Sequence, residues 1–465
     1  MTQYARWVDH NEREIPAVQP SRRLSFLRFF LRYPIFLLAF GPPILKPPTS
    51  GVDTSKAHFD FWNIVQVGWL FVVAVRAIFR LVGPRSILIP WQVRSILKYA
   101  FFLGILFIMS VVYSPGRTIS AEYSILYFLN LICVMEFLVD AYRNPPNWMQ
   151  CVMYLRVISL MLFALVLLIL PFKPALVMMV QPGAGIRLIG GAVATVPLIC
   201  PLTAIISAYC FLHSLESRFR SVVLFLIGFI GLMITQTRGG EIAMFAILGL
   251  LAFGWARTSK RSASIFIAGF MATILLAGVF IGTVGGERIW NIFNRGQDIG
   301  GIVTATGRTK VWADVIQYSV THPEGMGYIA GIRASRIATN SDTSMHVSLN
   351  NVGGTDNAYM QVLADAGWLA LTLYLTMLVK VLVLGWRTAK TSSTVARAPI
   401  TTTAHALRCS LLLLAFCLLE QMEGSNFVIP LREEFYIQNI IIVIILGASA
   451  SVIIAFRSRE TSFRV

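Results

Sequence analysis

The chain has 465 residues, of which 56% are hydrophobic and only 13% charged. Its mean hydropathy is +0.70. Soluble domains carry about 25% charged residues, so this composition excludes an ordinary soluble fold. The formal net charge of +17 would suggest nucleic acid in a soluble protein. In a membrane protein it reflects Lys and Arg gathered in the loops of one side, and no nucleic-acid partner is expected.

Residues 1–24 are polar and carry Arg6, Arg13, Arg22 and Arg23. They lack the apolar core of a cleavable signal peptide, so insertion is expected to rely on the first hydrophobic helix. Apolar runs of the length that crosses a hydrocarbon core of about 30 Å then recur. They fall at about 26–44 (weakened by Pro34, Pro42 and Pro43), 59–81, 99–113, 121–141, 149–170, 192–213, 222–234, 241–255, 265–284, 358–383, 404–419 and 435–456. None shows the alternation of about ten residues that marks a barrel strand, so the spans are read as helices. The six cysteines (Cys133, Cys151, Cys200, Cys210, Cys409, Cys417) lie in or beside these runs and show no CxxC spacing. They imply neither a disulfide framework nor a metal site.

Charge counting supports this division. With the N-terminus inside and strict alternation, the inner segments hold about 22 cations and the short outer loops about 7, as the positive-inside rule requires. The expected fold class is therefore all-α, a polytopic membrane protein of about twelve transmembrane helices with both termini cytoplasmic. Its expected divisions are a tail at 1–24, helices one to nine at 25–286, one large outer loop at 287–357, helices ten to twelve at 358–456, and a tail at 457–465.

The loop at 287–357 is the long polar segment of the chain. Loops beyond about 15 residues are uncommon in compact folds and are usually functional or disordered. Thr306-Gly307-Arg308 opens a pattern with Val311, Trp312, Val315, Ile316 and Val320 on one helical face. Thr306 is a candidate N-cap. The cluster His322-Pro323-Glu324-Gly325-Met326-Gly327 should end that helix. An amphipathic helix here would lie on the bilayer or lid a cavity.

Three outward-facing arginines stand out. Arg238 sits in a very short outer turn, Thr235-Gln236-Thr237-Arg238-Gly239-Gly240, held near membrane depth. Arg187 lies in Gly185-Ile186-Arg187-Leu188, and Arg308 follows a glycine at a helix start. One such arginine could simply snorkel to the interface. Three on one face suggest a polyanion such as a pyrophosphate, because a guanidinium fork matches phosphate oxygens and helix-start amides add to the field.

Charges inside spans are costly and often functional. Arg76, Glu136, Arg156, Lys380 and Arg408 qualify, with Glu136 and Arg156 a candidate pair. Glu420 and Glu423 lie near the outer end of the eleventh span, on the side of the long loop. For a general base the loop offers Asp356, His346 and His322. His322 precedes a proline and reads as a turn residue. His346 could be a solvated loop residue, and Asp356 could serve only as an N-cap.

Four pieces resemble a known family. They are Thr235-Gln236-Thr237-Arg238-Gly239, Thr306-Gly307-Arg308 with Trp312, Pro323-Glu324-Gly325-Met326-Gly327, and the stretch Asn357-Ala358-Tyr359-Met360-Gln361-Val362-Leu363-Ala364-Asp365-Ala366-Gly367. Their order and spacing are similar to those of the O-antigen ligase and Wzy-type polysaccharide polymerase superfamily of bacterial inner membranes.

The resemblance implies packed helices around a periplasm-facing cavity. It implies transfer of a glycan from an undecaprenyl-pyrophosphate carrier to the hydroxyl of a glycan or lipid acceptor, without metal or nucleotide cofactor. It assigns the pyrophosphate to Arg238 and Arg308, with Arg187 as a third contact and Asn357 and Tyr359 beside them. Where ligases of the family carry His before the Asn, this chain has Asp356, whose ordinary pKa of about 3.9 makes it a weak base unless burial raises it. His346 is the alternative imidazole. This departure favours a polymerase, or a ligase for an acceptor other than the lipid A core. An anion or solute transporter and a non-catalytic partner of polysaccharide assembly proteins are the competing readings.

Overall fold

The structure, a computed structural model, describes residues 26–39, 61–81, 89–181, 185–188, 195–235, 237–264, 267, 308–329, 357–393, 398–422 and 433–462. Eight of its helices are long and apolar enough to cross a membrane, as expected of an all-helical polytopic protein. The ninth span expected at 265–284 (residue 267 apart), the tail at 1–24, residues 463–465 of the tail expected at 457–465, and most of the loop at 287–357 lie outside the described residues; residues 457–462 continue the last helix.

The first span is broken where its sequence is weakest. α1 (Phe26–Arg32) ends before Pro34, and the chain continues as a 3-10 turn (Pro34–Ala39). Proline has no amide hydrogen to extend the helix. Arg76 of α2 (Phe61–Leu81) donates to the carbonyls of Leu31 and Arg32 at 3.0 and 3.3 Å, covering the open end of α1. α3 (Trp91–Met109), α4 (Arg117–Arg143) and α5 (Trp148–Ile169) follow. Next come a single turn (Pro174–Val177) and an antiparallel hairpin, β1 (Met178–Gln181) with β2 (Gly185–Leu188). α6 (Thr195–Leu212) packs closely along α7 (Arg218–Thr235). Gly228 and Gly231 of α7 permit this approach: a Cβ on Gly228 would lie 2.6 Å from the Cys200 carbonyl oxygen.

α8 (Arg238–Ala256) packs on α6 and α11. α9 (Arg308–Thr321) is the expected loop helix. α10 (Ala358–Ser393), α11 (Ala398–Glu420) and α12 (Glu433–Ser462) complete the described helices. Residues of α5, α6, α10, α11 and α12 supply much of the main hydrophobic core. The six cysteines are buried and free.

The ion pairs differ from the sequence expectation. Glu136 accepts from Arg80 at 2.7 Å rather than pairing with Arg156. Arg156, nearly fully buried, forms a two-pronged pair with Glu216 at 2.5 and 2.7 Å. Glu216 lies between α6 and α7, outside any apolar span, so span-by-span reading could not offer it as a partner. Lys380 stands over the Tyr99 ring at 4.3 Å and donates to Ser95. Burial pushes the Glu216 carboxyl up, but the Arg156 hydrogen bond and charge, with Ser221 and Arg220, bring it below its ordinary value.

Candidate functional site

The site is assembled on the face of the bundle that carries α9. Its first piece is the turn between α7 and α8. Thr235 ends α7 with its hydroxyl donating to the Leu232 carbonyl at 2.7 Å. Three residues later Arg238 opens α8, and the Glu241 amide donates to the Thr237 carbonyl at 2.9 Å. Gly239 and Gly240 are buried in the same first turn. Arg238 itself is half-buried. Its Nε and Nη2 are shielded from solvent and have no hydrogen-bond partner among the described residues. A guanidinium with two dry, unused donors is costly. It sits beside the amides of a helix start, a favourable place for an anion.

The second piece is the start of α10. Asn357 is its cap: Oδ1 accepts from the amides of Tyr359 and Met360 at 2.9 and 3.1 Å. Nδ2 of the same side chain donates to the Met422 carbonyl at 3.3 Å. The Ala358 amide donates to the Gln421 carbonyl at 2.8 Å, and the Tyr359 hydroxyl donates to the Leu418 carbonyl at 2.9 Å. The start of α10 is thus bolted to the end of α11. Gln421 is held in turn by Tyr374, whose hydroxyl donates to its Oε1 at 2.9 Å. Tyr374 and Gln438 also line an interior cavity of about 60 Å³, with Asn130 and Asn439.

The third piece is the turn after α9. α9 ends at Thr321, and His322 stacks on Tyr318 with ring centroids 4.2 Å apart. His322 is exposed and Tyr318 half-buried, in keeping with a turn role for His322. The following residues plug into a break in α10. The amides of Met326 and Gly327 donate to the carbonyls of Ala364 and Asp365 at 2.7 and 2.8 Å, and the Trp368 amide donates back to Pro323 at 3.1 Å. The break lies at Gly367, whose φ of +77° and ψ of −173° suit glycine alone.

On its other side the plug meets α3 and α4. The Tyr113 hydroxyl donates to the Glu324 carbonyl at 2.6 Å. The Tyr328 amide donates to Ser110, and the Ser120 hydroxyl donates to the Tyr328 carbonyl, both at 2.8 Å. The Tyr328 ring stacks on Phe107 with centroids 3.8 Å apart. Burial, with lesser contributions from Tyr127 and Asp365, pushes its phenol well above the ordinary range. α9 itself rests on α10 through Val315 against Leu363 and Ala364. Two of the sequence motifs are therefore halves of one joint, which fixes α9 over the bundle.

The predicted site residues divide by position. Arg238, Asn357 and Tyr359 are described in full. Arg308 is the first residue of α9, and Arg187 lies on β2, paired across the hairpin with Met179. Asp356, His346 and Glu423 lie outside the described residues. The structure brings Asn357, Tyr359 and the α11 end together. Asn357 takes the capping role that the sequence offered to Asp356. Sequence reasoning missed Gln421, Tyr374 and the serines at 110, 114 and 120. The hydroxyl-rich turn Ser110–Ser114–Ser120 at the end of a span was the available signal.

Residues 223–375 match the model of the O-antigen ligase family (Wzy_C). The match takes in Arg238, the whole loop, and both halves of the α9–α10 joint, and it bears out the resemblance drawn from those motifs. It supports a ligase- or polymerase-type function in polysaccharide biosynthesis by a multi-pass membrane protein. No curated protein matches the chain.

Proposed function

We propose that this protein is a membrane glycosyltransferase that moves a glycan from an undecaprenyl-pyrophosphate donor to an acceptor hydroxyl on the periplasmic side of the inner membrane. The observation that carries this reading is Arg238, with two buried donors unused at the first turn of α8. Such a side chain can receive the leaving pyrophosphate without first breaking a protein contact. Arg308, at the start of α9, and Arg187, on β2, serve the same anion in this reading. Fixed guanidinium groups neutralise charge as it develops on the leaving group, which is where electrostatic catalysis is most effective.

The acceptor oxygen attacks the anomeric carbon, the bond from that carbon to the phosphate oxygen breaks, and the electron pair leaves with the pyrophosphate. The hydroxyl proton passes to Asp356 or His346. Asn357 and Tyr359 hold the chain next to Asp356 by their bonds to Met422 and Leu418. The transporter reading finds less support: Arg156 and Glu136, two of the intramembrane charges it would use, are tied up in ion pairs.

The test is a transfer assay with purified protein and an undecaprenyl-pyrophosphate oligosaccharide, read by mass. Release of undecaprenyl pyrophosphate with chain growth identifies a polymerase. Release with transfer only to an added lipid acceptor identifies a ligase. No release with any acceptor, in a folded protein, rejects the proposal.

A further inference from the structure

Glu420 is the last residue of α11, and it stands between two pieces of the candidate site. On one side, the next two residues hold the start of α10: Gln421 accepts from the Ala358 amide and Met422 from the Asn357 side chain. On the other side, the Glu420 carboxylate lies against the first turn of α8. A Cβ added to Gly240 would sit 3.6 Å from Glu420 Oε2 and 3.4 Å from the Pro197 carbonyl oxygen. Oε2 is shielded from solvent. Gly240 is two residues from Arg238.

Withdrawing one oxygen of a half-buried carboxylate from water at the end of a membrane helix is costly. A leucine would fill the same volume without that cost, so packing alone does not account for an acid here. A negative group beside the first turn of a helix is favoured by the helix dipole. It thus steadies the turn it faces, in this case the turn that carries the arginine. Arg238 has no ion pair among the described residues, so Glu420 does not consume the guanidinium.

We propose that Glu420 is a positioning residue of the transfer site: its carboxylate braces the first turn of α8 and so aims Arg238 at the leaving pyrophosphate. The proposal rests on the glycosyl-transfer reading. It lies outside the matched segment 223–375 and adds the end of α11 to the site. A brace of this kind acts on the transition state more than on donor affinity, because a guanidinium displaced by about 1 Å still binds an anion while its effect on rate can fall about 100-fold.

The experiment uses full-length protein in lipid nanodiscs, with undecaprenyl-pyrophosphate oligosaccharide as donor. Glu420→Gln, Glu420→Asp and Glu420→Met are compared for kcat and donor KM. The expected result is a fall in kcat of about 10- to 100-fold in Glu420→Gln with donor KM changed less than about threefold. Glu420→Asp should restore part of the rate. Glu420→Met, which keeps the volume without the charge, should reproduce the loss even if Glu420→Gln folds poorly. A Gln variant with wild-type kcat and donor KM overturns the proposal while leaving the transfer reading intact. A wild-type protein that neither transfers glycan nor binds undecaprenyl pyrophosphate overturns both.

Discussion

Gly367 and Pro323 meet backbone to backbone: the Pro323 carbonyl oxygen occupies the place a Cβ on Gly367 would take, and it accepts from the Trp368 amide at 3.1 Å. This contact lets a turn outside the bundle insert into the interrupted ladder of a membrane helix. Open amides and carbonyls inside a membrane helix are tolerated only when something else satisfies them. Here the turn at 323–327 does so, and in return α9 is fixed over the start of α10.

Gly367→Ala should therefore dislodge the joint. The residue needs a backbone conformation costing a non-glycine residue about 1–3 kcal/mol, and the methyl group would displace the Pro323 carbonyl. We expect a lower melting temperature in detergent and faster proteolysis between residues 308 and 329, with the remaining helices intact. A wild-type digestion pattern would show that α9 does not depend on this joint.

The cap at Asn357 has a smaller, local effect. Asn357→Ala removes two acceptor contacts and the tie to Met422, and loss of a cap costs about 1 kcal/mol. Asn357→Asp keeps the acceptor and loses only the donor. If the cap serves to hold the preceding residue in place, the Ala variant should lose transfer activity well beyond its loss of stability, and the Asp variant should retain most of it. Parallel activity and stability losses in both variants would reduce Asn357 to a helix cap.

Much of this was legible from the residues. Hydrophobic length marked the spans, Pro34 marked the break in the first, and the clustered glycines after His322 marked the turn that ends α9. Helix ends were less legible. α3 begins at Trp91 rather than near 99, and α10 runs on to Ser393, because helical hydrogen bonding continues past the apolar window through Gln92, Arg94, Arg387 and Lys390. The hairpin Met178–Leu188 was not anticipated; its register depends on backbone pairing between short, ambiguous segments. Partner choice was hidden for a different reason. Arg156 reaches Glu216 because α5 packs on α6 near its C-terminal end, and periodicity along one helix says nothing of which helix lies beside it.

That pair makes a prediction with a definite sign. The Glu216 carboxyl lies below its ordinary value, chiefly because Arg156 outweighs the burial that raises it. A depressed carboxyl contributes stability above its unfolded pKa of about 4.3. The contribution is lost as pH falls through the lower folded value. Wild-type melting temperature should thus drop on acidification below about pH 4.3, and Glu216→Gln should lose that component of the drop. The variant should also be less stable at neutral pH by about 3 kcal/mol, since Arg156 would be left buried and unpaired. Unfolding monitored by circular dichroism across pH would check both; an unchanged neutral melting temperature would remove the pair from the list of structural supports.

The sharpest test of the anion site is replacement of Arg238 by lysine rather than alanine. Lysine keeps the charge and snorkels equally well, so a merely interfacial arginine should tolerate it. A guanidinium that grips two phosphate oxygens should not, because an ammonium cannot reproduce the fork. Removing one preorganised donor from a developing oxyanion costs about 100- to 1,000-fold in rate. We expect Arg238→Lys to lose activity on that order and Arg238→Ala to lose at least as much, with both proteins inserted and folded. The melting temperature of each variant checks that it folds. Transfer by Arg238→Lys within about threefold of wild type would show that charge alone suffices and that the unused Nε and Nη2 donors do not grip the leaving group.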